Sequence, residues 1–336
     1  MSSNSQREHL PELDGFRAFS ILLVLAAHML PLGPKSWQLN LASGYMGMSL
    51  FFALSGFLIT RFLWNDQNVG IFFLRRLSRI APLVLLVSFI YCILLAGRPD
   101  SFLAANLYVI NYVDAALIPE ISPFWSLGVE MHFYVMIGLS VLVFGRRGFF
   151  LVPIVALIVL YLRVDTQAYG NIRTHLRIDE ILSGSLLAMF WVNRERPGFA
   201  KVFAFLPKVF WPSLLLWLLA CLPATYTFGL AYFRAYFAAL LIGTVLAMSG
   251  RWQNRLLSTA TLTYIATISF ALYVWHSPFR HGWFDSGTIY ERYLFKRPLA
   301  FLCIFAISHA STFYFEKPIT DAVRKWTSKS RRTARQ

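Results

Sequence analysis

The sequence predicts an all-α, polytopic membrane bundle of about ten transmembrane helices with both termini in the cytoplasm. Three observations carry this expectation. The 336 residues are 57% hydrophobic and 14% charged, where a water-soluble domain carries about 25% charge. Apolar runs long enough to cross a bilayer recur along the whole length and leave little room for a soluble domain. Basic residues collect between alternate runs, as in cytoplasmic loops.

The runs fall at 13–32, 45–64, 78–97, 124–144, 148–163, 177–193, 208–223, 230–249, 259–278 and 298–316. Several are short or interrupted by Gly or Pro, which a bundle tolerates because neighbouring helices satisfy the freed backbone groups. Segment 101–120 reads either as an interfacial or re-entrant helix or as a further crossing, which would reverse everything after it. With the N-terminus inside, inward segments from Arg7 to Arg335 hold twenty Lys and Arg and outward segments hold eight. Arg17, Arg177 and Arg234 lie within runs. The net charge of +15 therefore belongs to membrane topology, and nucleic acid is excluded as a partner. The chain divides into a transmembrane domain, 1–318, and a basic cytoplasmic tail, 319–336. In the tail, Ile319, Val323 and Trp326 share a helical face, which fits an interfacial helix on anionic lipids or a stop-transfer tail. Cys92, Cys221 and Cys303 sit inside runs, as neither a disulfide framework nor a zinc spacing, and no metal is expected. The first run leads into Pro31 without a cleavage site and reads as a retained span.

That first run carries Asp14, Arg17 and His28 in LDGFRAFSILLVLAAH. Arg17 and His28, eleven residues apart, turn through about 1100° of helix and share one face, roughly 16 Å apart along the axis. Ionisable groups inside a bilayer face a protein-lined cavity by default, which makes the pair a candidate site. Arg17 alone reads equally well as a positive-inside anchor. The second run interrupts aromatic residues with Ser55-Gly56, a close helix contact or a place for a ligand with Ser55 as donor. In FFLRRLSRIAPL, Arg75 and Arg79 share a face, as do Arg76 and Arg79. Their forked guanidinium groups suit phosphate oxygens, of a nucleotide-bearing ligand or of lipid headgroups. Glu130 lies in the fourth run with Tyr134 at i+4, and a carboxylate there needs a partner. His132 stands elsewhere on that helix. Arg177, Asp179 and Glu180 open the sixth run, where first-turn acids also satisfy the helix dipole. His276 precedes Pro278 at the end of the ninth run, and Glu316 ends the tenth.

Taken in order, LDGFRAFSILLVLAAH, FFALSGFLIT, RRLSRIAPL, FWSLGVEMHFY, LRIDEILSGSLLA, ISFALYVWHSPF and FYFEKP make the chain resemble the acyltransferase-3 family of bacterial integral-membrane O-acyltransferases, from residue 12 to 318. Larger members append a periplasmic SGNH-type domain; this chain resembles the stand-alone form. Where the family often has Glu-Gln after the motif glutamate, this chain has Met131-His132. The resemblance implies a multi-pass protein of the bacterial inner membrane. It would take cytoplasmic acetyl-CoA or a related acyl-CoA as donor, with an acceptor hydroxyl reached from the outer side. His28 and Arg17 become the essential pair and Glu130 a catalytic or acceptor-binding group. Arg75, Arg76 and Arg79 become the candidates for the coenzyme phosphates, and Ser55, Asp14, Tyr134, Arg177, Asp179 and His276 the candidates for substrate contact. The expected acceptor is O-antigen or exopolysaccharide, lipid-linked or free. An antibiotic, a nodulation oligosaccharide, peptidoglycan and a glucan are the alternatives. The rival class is a sugar or lipid transporter, since buried ionisable groups also mark transport paths.

Overall fold

A computed structural model describes residues 10–248 and 250–333, without the side chains of Thr227 and of residues 329–333. Arg7 and Arg335 of the charge count lie outside the described residues, as do the side chains of Lys329, Arg331 and Arg332. No strand occurs among the described residues.

Helix α1 (Pro11–Met29) opens with Pro in its first turn and with Glu12 and Asp14 at the positive end of its dipole. Asn40 Nδ2 donates to the carbonyls of Ala27 (2.8 Å) and Leu30 (2.7 Å), satisfying the last carbonyls of α1 and tying it to α2 (Leu39–Asn65). Asn68 caps α3 (Val69–Ser88), accepting from the Ile71 N–H at 2.9 Å. α3 carries Pro82 internally and runs on as a π-helical stretch, Phe89–Leu95. Next come α4 (Pro99–Asn106), α5 (Trp125–Phe144), α6 (Leu151–Asp165), α7 (Asp179–Val192), α8 (Pro197–Phe205) and α9 (Phe210–Cys221). The last are α10 (Arg234–Leu246), α11 (Trp252–Leu257), α12 (Ala260–Trp275), α13 (Arg297–Ala310) and α14 (Lys317–Thr333), with π-helical Ser311–Glu316 joining the final two.

Each of the ten predicted runs coincides with a helix: α1, α2, α3, α5, α6, α7, α9, α10, α12 and α13. Five helical stretches are long and apolar enough to cross a membrane by length and composition, and α10 and α12 are shorter apolar helices. Segment 101–120 holds only the eight-residue α4 and short 3-10 turns, so it does not cross. Contacts between connecting segments agree with that count. At one end, Arg146 Nε donates to the Trp64 carbonyl (3.2 Å), Asn254 Nδ2 to Glu12 (2.9 Å) and Arg75 to Thr327 Oγ1. At the other, Ser277 Oγ donates to the Pro119 carbonyl (2.7 Å) and Asn111 Nδ2 to Thr174 Oγ1 (2.9 Å). We call these the basic end and the outer end.

α2 is the central helix. Buried residues make up 67% of its most apolar stretch, against 33% for α3, and an apolar core lies on either side of it. It reaches backbone contact with α7: a Cβ on Gly56 would meet the Ile181 oxygen at 1.8 Å, and one on Gly184 would meet the Ala53 oxygen at 1.8 Å. Outward-facing Leu85, Leu94, Leu142, Val143, Leu157 and Ile158 are exposed, an apolar surface suited to lipid. The tail helix α14 leaves Trp326 exposed and is pinned to α3 by Arg75, whose Nε and Nη2 donate to the buried Thr327 hydroxyl at 3.0 and 2.8 Å. All three cysteines are free thiols.

The glycine contacts predict that Gly184→Ala separates α2 from α7 and costs about 1–3 kcal/mol, the range for overpacking. Gly198→Ala, where an added Cβ meets nothing within 4 Å, leaves stability unchanged. Thermal unfolding of the two variants in the same detergent checks the contrast.

Candidate active site

The structure sorts the candidate residues into three groups. The first is a cavity of ≈ 40 Å³ where α1, α2, α3, α5 and α12 converge, lined by Arg17, Ser55, Arg76, Arg79, Glu130 and Tyr134 among others. Glu130 is buried because its carboxylate has two donors: the Ser55 hydroxyl and the Tyr134 hydroxyl both donate to Oε1. The i, i+4 spacing on α5 places Tyr134 there. Arg17 lies 3.6 Å from Asp14 and within electrostatic reach of Arg76, Arg79 and Glu130. The Arg76 guanidinium stands 5.9 Å from the Tyr134 ring centre. Three guanidinium groups thus surround one carboxylate in a space that holds a few waters. Arg75 points elsewhere, to Thr327. Ser55 and Gly56 divide their work: the serine serves the cavity and the glycine the α2–α7 contact.

The second group is an imidazole pair at the outer end. His28 Nδ1 lies 2.8 Å from His276 Nε2, and the two rings are nearly parallel, at 4°. His276 is fully buried, and its Nδ1 lies 2.7 Å from the Tyr273 carbonyl. A carbonyl only accepts, so His276 Nδ1 carries the proton. For neutral rings, His276 Nε2 then accepts from His28 Nδ1–H, which leaves the lone pair of His28 on Nε2. His28 itself is only partly buried. Tyr273 is immobilised in turn: its hydroxyl donates to the Pro123 carbonyl (2.7 Å) and meets Ser126 Oγ at 2.6 Å. Its ring stacks on Phe51 at 5.9 Å and 9°. Phe51 also lines the first cavity, so this stack stands between the two groups.

The third group is a buried ionic network at the start of α7. Arg163 donates to Asp179 and to the carbonyls of Tyr232 and Ala231. Arg234 Nε donates to Glu180 (2.8 Å) and its Nη2 to the Tyr169 carbonyl (3.0 Å). Arg177 lies 3.4 Å from Glu180. Asp179 and Glu180 occupy a first helical turn, as the helix-dipole reading requires, and also balance buried cations. His132 belongs to none of the groups; its Nδ1 lies 2.6 Å from Thr174 Oγ1. Sequence reasoning missed Phe51, Tyr273 and the partners Arg163 and Arg234. The last two had a signal: cations inside or bordering apolar runs, matching the acids of the sixth run in number.

Comparison with known proteins places this chain among acyltransferases. The family model of the acyltransferase domain, acyltransferase-3, matches residues 10–317. A peptidoglycan O-acetyltransferase, OatA, of Listeria monocytogenes is 27% identical over 93% of this chain and 56% of its own length. The O-acetyltransferase OatA of Staphylococcus aureus is 26% identical over 84% of this chain and 53% of its own. A putative O-acetyltransferase of S. aureus is 24% identical over 89% of this chain and 55% of its own. The chain thus spans about half the length of these relatives. No solved structure matches it.

The network makes a prediction of its own. Glu180→Gln leaves Arg177 and Arg234 without their shared countercharge and destabilises the protein by about 3–5 kcal/mol, the cost of breaking a buried pair. The check is thermal stability in detergent beside Glu195→Gln, an acid at the exposed end of an ion pair, which changes little.

Proposed function

We propose that this chain, which belongs to the acyltransferase-3 family, moves an acetyl group from cytoplasmic acetyl-CoA to a hydroxyl of a cell-surface or exported carbohydrate across the bacterial inner membrane. The observation that carries this reading is the His28–His276–Tyr273 relay, which leaves an unprotonated Nε2 on a partly buried histidine. A neutral imidazole of fixed tautomer is what general-base catalysis on a hydroxyl needs.

The donor is a substrate here, and the fit of the residues to it is mixed. Arg76, Arg79 and Arg17 supply planar forks for phosphate oxygens. The cavity between them is too small for a nucleotide, so the phosphates would stand at its mouth on the basic side. The arm carrying the thioester must then travel the roughly 16 Å from Arg17 to His28 and pass the Phe51–Tyr273 stack. Glu130, held by Ser55 and Tyr134, keeps the arginines compensated between turnovers; it is a positioning residue in this scheme.

At the outer end, His28 Nε2 takes the proton of the acceptor hydroxyl as its oxygen attacks the thioester carbonyl. His28 Nδ1–H stays on His276, and the Tyr273 carbonyl keeps His276 in its tautomer. The C–O bond forms, the C–S bond breaks, and the sulfur leaves with the proton that His28 carried. The same lone pair serves a second reading, an acyl group carried transiently on His28 Nε2. The two differ in whether label stays on the protein when acceptor is withheld. The acceptor class rests on association: relatives are named for peptidoglycan, and O-antigen and exopolysaccharide are the other envelope polymers to examine. NMR of each polymer from cells with and without the gene decides among them.

Two outcomes are expected in membranes supplied with radiolabelled acetyl-CoA. His28→Ala loses transfer by about 10²–10⁴-fold at matched abundance, the contribution of a general base. His276→Ala loses less, and loses it in kcat. Arg76→Ala and Arg79→Ala each raise the apparent KM for acetyl-CoA by about tenfold or more, as removal of a charge-assisted hydrogen bond does. Arg75→Ala raises it far less, and instead loosens α14. Label transferred at full rate by His28→Ala, or none transferred by the natural chain, overturns the reading.

A further inference from the structure

In the outer half one buried guanidinium has no hydrogen bond. The Arg177 side chain is 3% exposed, and among the described residues none of its N–H groups makes a hydrogen bond. Among the described residues its ion-pair partner is Glu180, with Nε 3.4 Å from Oε2, and both of those atoms are enclosed without a hydrogen-bond partner. Arg163 and Arg234, equally buried, behave differently and donate to carboxylates and backbone carbonyls. The network is also out of balance: Arg163, Arg177 and Arg234 face only Asp179 and Glu180, and all five are buried. One positive charge is surplus in a place where uncompensated charge and unmade hydrogen bonds are both costly. Glu180 answers the charge of Arg177 at 3.4 Å, and an arriving anion would complete its hydrogen bonds.

The surroundings describe the visitor. The Arg177 guanidinium carbon stands 5.3 Å from the Trp125 ring centre and 5.7 Å from that of Tyr45, so two aromatic faces flank the fork. Trp125 precedes Ser126, whose Oγ meets the Tyr273 hydroxyl at 2.6 Å. The Tyr273 carbonyl holds His276, which holds His28. Arg177 is thus joined to the imidazole pair through two consecutive residues of α5 and one tyrosine of α12.

We propose that Arg177, flanked by Trp125 and Tyr45, binds an oxyanion on the carbohydrate acceptor, so that the preferred acceptor is an acidic sugar. A carboxylate and a phosphate share the geometry the planar fork demands, and an aromatic face beside it suits a sugar ring. The anion neutralises the surplus charge of the network and completes the donors of Arg177. A neutral sugar leaves both unmet. This proposal rests on the acyl-transfer reading for the chemistry it serves, but the binding step stands apart from it.

The test uses the full chain in lipid nanodiscs and three probes: diacetylchitobiose, the same disaccharide bearing a lactyl carboxylate, and the same bearing a 1-phosphate. Without any donor, at least one acidic probe raises the Tm of the natural protein and the neutral one does not; which acidic probe acts separates carboxylate from phosphate. The shift disappears in Arg177→Met and is partly kept in Arg177→Lys. In acetyl transfer, the ratio of kcat/KM for the acidic over the neutral acceptor falls by about 10- to 100-fold in Arg177→Met, the loss of a charge-assisted hydrogen bond. Equal shifts from all three probes, or an unchanged ratio in the variant, overturn the proposal. If Arg177→Met does not fold, the natural protein's response to the probes decides alone. A shift that needs Arg177 without any transfer from acetyl-CoA keeps the anion site and removes the acyl-transfer reading. Transfer without acidic preference does the reverse.

Discussion

A charged side chain taken out of water has to be met by an opposite charge or by hydrogen bonds, and the arrangement of these helices follows from that demand. Glu130 on α5 is met by Ser55 of α2 and by its own neighbour Tyr134. Asp179 and Glu180 on α7 are met by Arg163 of α6 and Arg234 of α10. Each of these links fixes a different helix against its neighbours, and helices in lipid have little hydrophobic force to hold them together. Polar pairing and the close α2–α7 approach at Gly56 and Gly184 supply the specificity that a water-soluble core draws from burial.

The same demand explains why α1 is organised as it is. Its Arg17 belongs to a cation-rich cavity towards the basic end, and its His28 to an imidazole pair at the outer end. One helix therefore touches both sides of the bundle, with the Phe51–Tyr273 stack between them.

Much of this was legible in the residues. The apolar runs and the alternation of basic segments located ten of the helices, because lipid forces backbone polar groups into helices. The eleven-residue step put Arg17 and His28 on one face, and the i, i+4 step put Tyr134 on Glu130. Segment 101–120 stayed ambiguous because its composition fits a short crossing; eight residues of helix and a series of turns show that it does not cross. The imidazole pair was out of reach: His28 and His276 are 248 positions apart, and no local pattern relates them. The same holds for the carbonyl of Tyr273, a backbone atom whose role depends on where α12 ends. Arg75, Arg76 and Arg79 look equivalent in sequence, yet α14 captures Arg75 and leaves the other two to the cavity.

By itself, then, the sequence determined that the chain is a helical membrane bundle, which end of it is basic, and which ionisable residues need partners, because these follow from composition, period and the cost of charge in lipid. Only the tertiary structure decided who those partners are. It divided the candidate residues between a cavity at one end and an imidazole relay at the other, and it left Arg177 buried beside aromatic rings with no hydrogen bond among the described residues. Such assignments depend on contacts between residues far apart in the chain, and helix crossing geometry, set by a few glycines and buried pairs, chooses them.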